Sequence, residues 1–349
     1  MFVENSWLQR KSYWHSRCHV VLEIALRNPG GRCMRSKIDQ GIYRGARAVV
    51  LENALLKVTL VPGMGGKIAS IIYKPLDSEL LWQNSLEKFV ESEYDSPFSD
   101  GDMSGMDDMF PTIDECFYPD GPWKGTRLPD HGEVWALPWA SHIHGTAVTL
   151  SVFGVRIPYR LSKIVSLSEG KLDLRYSLKN LSPFDFKFIW ALHPLFKVDE
   201  FTRIVLPESV KRVINVGNSP LRLGAYGSTH SWPITKHSSG EIYDMSRILP
   251  PGKGNYDKYY VQGSVPEGRC ALYNERSGME IGLTFSPEKV PFLGMWINEG
   301  AYHAQYNVAP EPCTGAFDRV DIAAQWGAVS TIPAMDTYEW QIGMDVKQR

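Results

Sequence analysis

The chain has 349 residues, of which 43% are hydrophobic and 22% are charged, and it includes 11 Trp, 16 Tyr and 14 Phe. This much apolar and aromatic surface can fill a large core, so the composition excludes an intrinsically disordered chain. With 37 Lys and Arg against 39 Asp and Glu the formal charge is -2, which provides no global field for nucleic acid or an anionic membrane. The apolar runs are also far shorter than the roughly 18 residues of a membrane span. We therefore expect neither nucleic acid nor a membrane as a partner.

The N-terminal segment differs in composition from the rest of the chain. The first 37 residues are rich in Arg and Lys, but they lack the apolar segment and cleavage site of a secretory signal. An organelle presequence and a leader before an alternative start at Met34 both remain open, and with them whether residues 1–33 persist in the mature protein. We predict a leader of uncertain order at residues 1–40 and a single domain at residues 41–349.

The cysteines indicate a reducing compartment. Their number is odd, their spacing is irregular and no CxxC pair occurs, so they fit neither a disulfide framework nor a zinc motif. We therefore expect a cytoplasmic protein without structural disulfides. The five are Cys18, Cys33, Cys116, Cys270 and Cys313.

Short apolar segments separated by turn sequences dominate the chain from Ala48 onward. Residues 48–62 predict a hairpin around Glu52 and Asn53, and a proline-bearing turn follows a strand at residues 67–73. Further strands are predicted at residues 79–82, 147–153, 157–167, 171–178, 184–192, 264–274, 279–285, 292–297, 302–308 and 337–343. After the first 30 residues no stretch has sustained helical periodicity. The pattern predicts an all-β fold, a large antiparallel β-sandwich.

Two long segments, residues 84–130 and 217–257, are predicted as loops because they are rich in Gly, Pro, Ser and Asp. Loops of this length inside a compact domain are usually functional. The first one carries carboxylates between aromatic residues, a combination that suits a sugar site because hydroxyls need acceptors and apolar ring faces stack on aromatic rings. A solvated acidic loop explains the same pattern equally well, and an EF-hand-type calcium loop fails because Pro111 occupies the position of the bidentate Glu.

Three histidine-bearing segments are candidate sites. His131 directly follows the first long loop, where a side chain can face a cleft. His142 and His144 add ring nitrogens nearby, but strand alternation presents only two ligands on one face, so we predict no metal site. His193 ends an apolar strand and is followed at once by Pro194, which predicts a histidine leaving the sheet at its rim. A buried structural histidine is the alternative.

Glu311 stands between Pro310 and Pro312 at the predicted end of a strand, in a segment with few other charges. Flanking prolines reduce backbone freedom, which preorganised catalysis requires. A solvated surface charge explains such a glutamate poorly. We therefore predict a functional carboxylate at this position.

Six motifs follow one another along the chain, at residues 61–70, 130–133, 193–196, 256–259, 291–296 and 311–315. Together they resemble the aldose 1-epimerase (galactose mutarotase-like) family. The resemblance implies a large antiparallel β-sandwich with a sugar cleft, with His193 as general acid and Glu311 as general base. It also implies His131 and Asp257 as hydroxyl ligands and Trp296 as a stacking wall.

One departure from the family pattern concerns the sugar preference. The sugar-contacting arginine that many relatives carry ahead of the His-Gly motif has no clear match, and the aspartate-rich residues 101–115 occupy that stretch. Asp108 in this stretch is a candidate hydroxyl ligand. The sequence predicts a small-molecule sugar as partner but does not identify it.

The resemblance implies interconversion of α and β anomers of a free aldose. A base removes the proton of the anomeric hydroxyl while an acid protonates the ring oxygen, and the opened aldehyde closes on its other face. No cofactor is expected. The alternatives are a non-catalytic carbohydrate-binding or regulatory protein on the same fold, and a sugar-phosphate epimerase, for which Lys67, Lys124 and Arg127 are the available cations. Oligomeric state is not predicted.

Overall fold

The computed structural model describes residues 36–348, almost entirely as β-strands. Residues 1–35, with Cys18, Cys33 and Met34, lie outside the described part, so the predicted leader does too, apart from its last residues, which begin the first strand. The strands are β1 (Lys37–Tyr43), β2 (Ala46–Glu52), β3 (Leu56–Val61), β4 (Lys67–Tyr73), β5 (Ser78–Glu79), β6 (Met106–Met109), β7 (Cys116–Phe117), β8 (Arg127–Leu128), β9 (Ala140–His144), β10 (Ala147–Phe153), β11 (Tyr159–Ser168), β12 (Lys171–Asn180), β13 (Phe186–Phe188), β14 (Ala191–Pro194), β15 (Phe196–Lys197), β16 (Thr202–Val205), β17 (Arg212–Ser219), β18 (Thr229–Ser231), β19 (Ile234–Lys236), β20 (Ile242–Asp244), β21 (Asn255–Val261), β22 (Arg269–Asn274), β23 (Met279–Phe285), β24 (Phe292–Glu299), β25 (Tyr306–Cys313), β26 (Ser330–Ile332) and β27 (Thr337–Gln348).

Two large antiparallel sheets organise these strands. The first has 13 strands in the order β1-β2-β3-β4-β6-β14-β25-β24-β21-β17-β18, with β5 beside β4 and β15 beside β25. The second has eight strands in the order β16-β22-β23-β27-β12-β11-β10-β9. The predicted all-β class and large antiparallel sheets are confirmed, with one short helix, α1 (Val320–Gln325), that the sequence pattern did not predict.

Two long neighbouring strands of the second sheet alternate between buried and more exposed positions. Along β11 and β12 every second residue is buried, as expected for strands with one face on a core. The predicted hairpin at residues 48–62 is also confirmed. Its turn is held by the Asn53 side-chain oxygen, which accepts hydrogen bonds from the backbone N–H groups of Leu55 and Leu56.

Aromatic side chains join the two sheets. Trp190, next to β14 and fully buried, contacts Tyr176 of β12 at 4.6 Å and Trp340 of β27 at 5.0 Å between ring centroids. Such contacts are favourable beyond the area they bury. One face of the 13-stranded sheet is therefore covered by the second sheet.

The segment predicted as a loop at residues 84–130 contributes a central strand instead. β6, with the sequence Met-Asp-Asp-Met, lies between β4 and β14. Its two aspartates are untypical of a buried strand, and each is buried beside a lysine: Asp107 binds Lys67 at 2.8 Å and Asp108 binds Lys163 at 2.7 Å. The segment 217–257 likewise contains three short strands, β18, β19 and β20.

The strand predicted at residues 184–192 is two strands. β13 pairs with β26 in a small separate sheet, whereas β14 joins the 13-stranded sheet. No helix within residues 36–348 is long and apolar enough to cross a membrane.

Candidate functional site

A cavity of about 380 Å³ opens at the 13-stranded sheet. Side chains from β14, β21, β24 and β25 line it, together with the segments that precede β7 and follow β8. Four of the six residues predicted from sequence line this cavity: His131, His193, Trp296 and Glu311. The fold therefore brings together residues that are up to 180 positions apart in the chain.

His193 and Glu311 occupy neighbouring strands. The register pairs Ala191 of β14 with Cys313 of β25, and two residues further along it places His193 across from Glu311. Both are predicted at strand ends. His193 is the next-to-last residue of β14, close to the predicted position, whereas Glu311 lies inside β25. Pro194 follows His193 and is the last residue of β14, whereas Pro310 and Pro312 flank Glu311 inside β25. Because a proline has no N–H to donate, none of the three can donate a backbone hydrogen bond to a neighbouring strand.

Lys258 holds one oxygen of the Glu311 carboxylate. Its ammonium group donates a hydrogen bond to Glu311 Oε2 and lies 3.5 Å from Asp318 Oδ1. Gly294, paired with Glu311 across β24 and β25, leaves room for this contact, since a Cβ there would come within 3.0 Å of Oε2. The other oxygen, Oε1, is buried without a hydrogen-bond partner and lies 3.6 Å from His193 Nε2.

Burial moves the two pKa values toward each other. Desolvation raises the pKa of Glu311, although the positive charge of Lys258 opposes the shift. Desolvation, reinforced by the charges of His131 and Lys258, holds the pKa of His193 well below its usual range. Burial therefore disfavours the charged form of both side chains.

His131 stands beside His193, with ring centroids 5.4 Å apart. Phe98 stacks on its ring at 4.1 Å, and Nδ1 lies 2.8 Å from Asp130 Oδ1. Burial alone would lower the pKa of His131, but the hydrogen bond and charge of Asp130 outweigh it and raise this pKa. His131 is thus the imidazole of the pair that favours the charged form.

The backbone at His131 explains the adjacent glycine. His131 has φ +57° and Gly132 has φ +72°, a left-handed conformation that favours glycine. A Cβ on Gly132 would lie 2.1 Å from the carbonyl oxygen of Phe110. The close approach fixes where the His131 side chain enters the cavity.

Trp296 belongs to an aromatic cluster on the cavity wall. Its ring centroid lies 5.4 Å from that of Tyr256 and 5.2 Å from that of Tyr302. Aromatic faces of this kind can stack on the apolar face of a sugar ring.

Asp257 does not reach the cavity, contrary to the expectation that it binds a hydroxyl. Successive residues of a strand face opposite sides, so Tyr256 and Lys258 line the cavity while Asp257 points the other way. There it is fully buried and accepts hydrogen bonds from Arg222 at 2.7 Å and from Tyr243 at 2.8 Å. Its role is to anchor the segment that carries Arg222.

Asp108 is also placed elsewhere. It faces the second sheet, fully buried between Lys163 Nζ at 2.7 Å and Trp190 Nε1 at 3.0 Å. The expectation of a sugar ligand at Asp108 is therefore wrong, because the alternation of β6 turns this side chain into the interior.

Four further charged residues line the cavity and were missed by sequence reasoning: Asp114, Asp130, Lys258 and Asp318. Lys258 carried a usable signal, since it alternates with Tyr256 and Tyr260 along one strand. Asp114 is exposed at the cavity wall, and its pKa is raised by desolvation there and by the negative charge of Asp318.

The cations considered for a phosphate do not converge on the cavity. Arg127 pairs with Asp95 and Glu115, Lys67 is buried against Asp107, and Lys124 is exposed. None of the three lines this cavity.

The histidines weighed as metal ligands lie on β9. His142 and His144 are exposed, with ring centroids 6.0 Å apart. Within residues 36–348 no group of three or more His, Cys, Asp or Glu side chains is arranged to hold a metal ion.

Comparison with known proteins rests on structure alone. No protein-family model matches the chain, and no curated protein matches it either. Solved structures match over most of its length. A galactose mutarotase related enzyme from Lactobacillus acidophilus has 15% identity and a TM-score of 0.60, covering 86% of this chain and 97% of its own.

Two other solved structures match the chain to a similar extent. A galactose mutarotase-like protein from Clostridium acetobutylicum has 11% identity and a TM-score of 0.62, over 90% of this chain and 99% of its own. A protein from Synechocystis sp. PCC 6803 has 15% identity and a TM-score of 0.63, over 93% and 100%. Identities this low carry the fold and not the activity. The chain has the galactose mutarotase-like fold.

Proposed function

We propose that this protein is an aldose 1-epimerase that interconverts the α and β anomers of a free sugar without a cofactor. One observation carries the proposal: Glu311 Oε1 is buried in the cavity, has no hydrogen-bond partner and lies 3.6 Å from His193 Nε2. An unpartnered buried carboxylate oxygen is costly, and a sugar hydroxyl at this position would satisfy it.

The reaction follows from this pair. Glu311 Oε1 accepts the proton of the anomeric hydroxyl as the bond between the anomeric carbon and the ring oxygen breaks. His193, in its protonated form, donates a proton to the leaving ring oxygen. Rotation about the bond to the aldehyde carbon and reversal of both transfers close the ring as the other anomer, so the pair ends with the protonation state in which it began.

The other cavity residues support this chemistry. Lys258 fixes Oε2 and so directs Oε1 toward the substrate. His131, held by Asp130 and Phe98, is positioned to donate to a sugar hydroxyl, and Trp296 offers an aromatic face. A cytoplasmic location accords with the free, buried thiols of Cys116, Cys270 and Cys313.

The test is the rate of anomer exchange, measured by polarimetry or by NMR saturation transfer on free hexoses and pentoses. Wild type should accelerate exchange of at least one sugar. Glu311→Gln should lower kcat by about 10² to 10⁴-fold while sugar binding persists, because the amide keeps the shape and loses the base. Glu339→Gln, at an exposed position on β27, is the matched control and should retain full activity.

Exchange at a near-normal rate in Glu311→Gln would overturn the assignment. Binding without acceleration of any sugar would instead identify a carbohydrate-binding protein on the same fold.

A further inference from the structure

The cavity lining is strongly acidic. Four carboxylates, those of Asp114, Asp130, Glu311 and Asp318, line it against a single lysine. The lysine ammonium lies between Glu311 and Asp318, and Asp130 is paired with an imidazole. Only the Asp114 carboxylate is left without a counterion of its own.

The position of Asp114 is fixed through its backbone. The N–H groups of Ile113 and Asp114 both donate to the carbonyl oxygen of Asp318 at 2.9 Å, and the His131 N–H donates to the Ile113 carbonyl at 2.5 Å. The segment is therefore tied to two other parts of the cavity wall. Among the residues that the structure describes, no side chain forms a hydrogen bond or ion pair with the Asp114 carboxylate. The backbone of Asp114 is therefore fixed, and its exposed carboxylate is free to bind a ligand.

The chemistry of this position limits the ligand. A sugar hydroxyl donates one hydrogen bond but leaves the negative charge uncompensated next to Asp318. An ammonium group supplies both the donors and the opposite charge. A phosphate or carboxylate on the sugar would face several like charges in a partly desolvated cavity, which is strongly unfavourable.

We propose that the preferred substrate is an amino sugar, whose ammonium group forms an ion pair with Asp114. This inference rests on the proposed anomer exchange for its catalytic readout, but it concerns recognition, and it can be tested by binding alone. Asp114 is then the residue that determines specificity for the amine.

The experiment compares sugars that differ at one substituent. At pH 7, NMR saturation transfer gives kcat/KM for glucosamine, glucose, N-acetylglucosamine and glucose 6-phosphate, and tryptophan fluorescence gives their dissociation constants. We expect glucosamine to exceed glucose and N-acetylglucosamine by about two- to fivefold in both measurements, as for one exposed ion pair. Glucose 6-phosphate should be the poorest of the four.

Asp114→Asn should reduce the ratio of glucosamine to glucose to about one. Asp120→Asn is the control, since Asp120 is paired with Lys187 and does not line the cavity, and it should keep the wild-type ratio. Because the Asp114 side chain makes no contact that stabilises the fold, the thermal unfolding temperature of Asp114→Asn should match that of wild type.

The outcomes separate the two proposals. Anomer exchange without preference for the amine, or a preference that survives Asp114→Asn, overturns this inference and leaves the proposed function standing. Tight glucosamine binding that depends on Asp114, without exchange of any sugar, supports this inference and overturns the proposed function.

Discussion

At the scale of single residues, the candidate site depends on how three ionisable groups share charge. Glu311 and His193 lie side by side in the cavity, and Lys258 binds Oε2 of the Glu311 carboxylate. The lysine charge lowers the pKa of both neighbours. Lys258 is therefore a positioning residue that also sets the pH range in which the pair holds one proton.

This arrangement predicts a pH effect of Lys258→Met. Exchange requires ionised Glu311 and protonated His193, so kcat/KM falls as pH drops through the Glu311 pKa and as it rises through the His193 pKa. Removing the lysine charge raises both pKa values, so both limbs of the profile should move to higher pH. The measurement is kcat/KM against pH for wild type and variant.

Lys258→Arg provides the control, because it keeps the charge and should restore the wild-type limbs. A purely structural role would lower the rate in Lys258→Met without moving either limb, and that result would contradict the assignment.

At the scale of elements, the entry of His131 into the cavity depends on a close contact between two backbones. Gly132 packs against the Phe110 carbonyl with no space for a Cβ and has φ +72°. Gly132→Ala should lower kcat/KM and should lower the free energy of unfolding by about 1–3 kcal/mol, since either Phe110 or the turn must move. Urea unfolding and exchange kinetics measure the two effects.

Gly145→Ala is the matched control. Gly145 in the turn between β9 and β10 also has positive φ, +57°, but a Cβ there would meet no atom within 4 Å. Gly145→Ala should lower the free energy of unfolding only by the backbone strain, and it should leave the activity unchanged. Equal effects of the two substitutions would show that the contact with Phe110 does not position His131.

The strands predicted from sequence show what local pattern can and cannot reveal. Regular segments such as β10 and β23 were located to the residue, because alternation and turn residues are local signals. β6 was missed because its aspartates are compatible with burial only through lysines 40 and 55 positions away. Such partners exist only after the strands have assembled.

At the scale of the whole molecule, contacts that form only when the strands assemble explain why some site residues were predicted and others were not. The motifs indicated His131, His193, Trp296 and Glu311, and the fold assembles these in one cavity. A motif does not say which face of a strand points to the cavity, so Asp257 was included although it faces away. Lys258 alternates with Tyr256 and Tyr260 along β21, so its face of the strand could be predicted. Asp114 has no distinctive local pattern and is brought to the cavity by contacts between distant segments.

The assignment of Asp108 leads to a prediction about how the two sheets are joined. Asp108 lies on β6 of the 13-stranded sheet and Lys163 on β11 of the eight-stranded sheet. Both are almost fully buried, and Lys163 Nζ lies 2.7 Å from Asp108 Oδ2. Lys163→Met leaves a buried charge unpaired and should lower the free energy of unfolding by about 3–5 kcal/mol, measured by urea denaturation.

The double variant Asp108→Leu with Lys163→Met removes both charges and should be clearly more stable than Lys163→Met alone, because no unpaired charge remains. Since neither residue reaches the cavity, the folded fraction of each variant should retain wild-type kcat/KM for anomer exchange. Loss of sugar binding in the folded double variant would contradict the placement of Asp108 between the sheets and restore it as a sugar ligand. If the losses of unfolding free energy in Asp108→Leu and in Lys163→Met instead add up to that of the double variant, the ion pair does not couple the sheets.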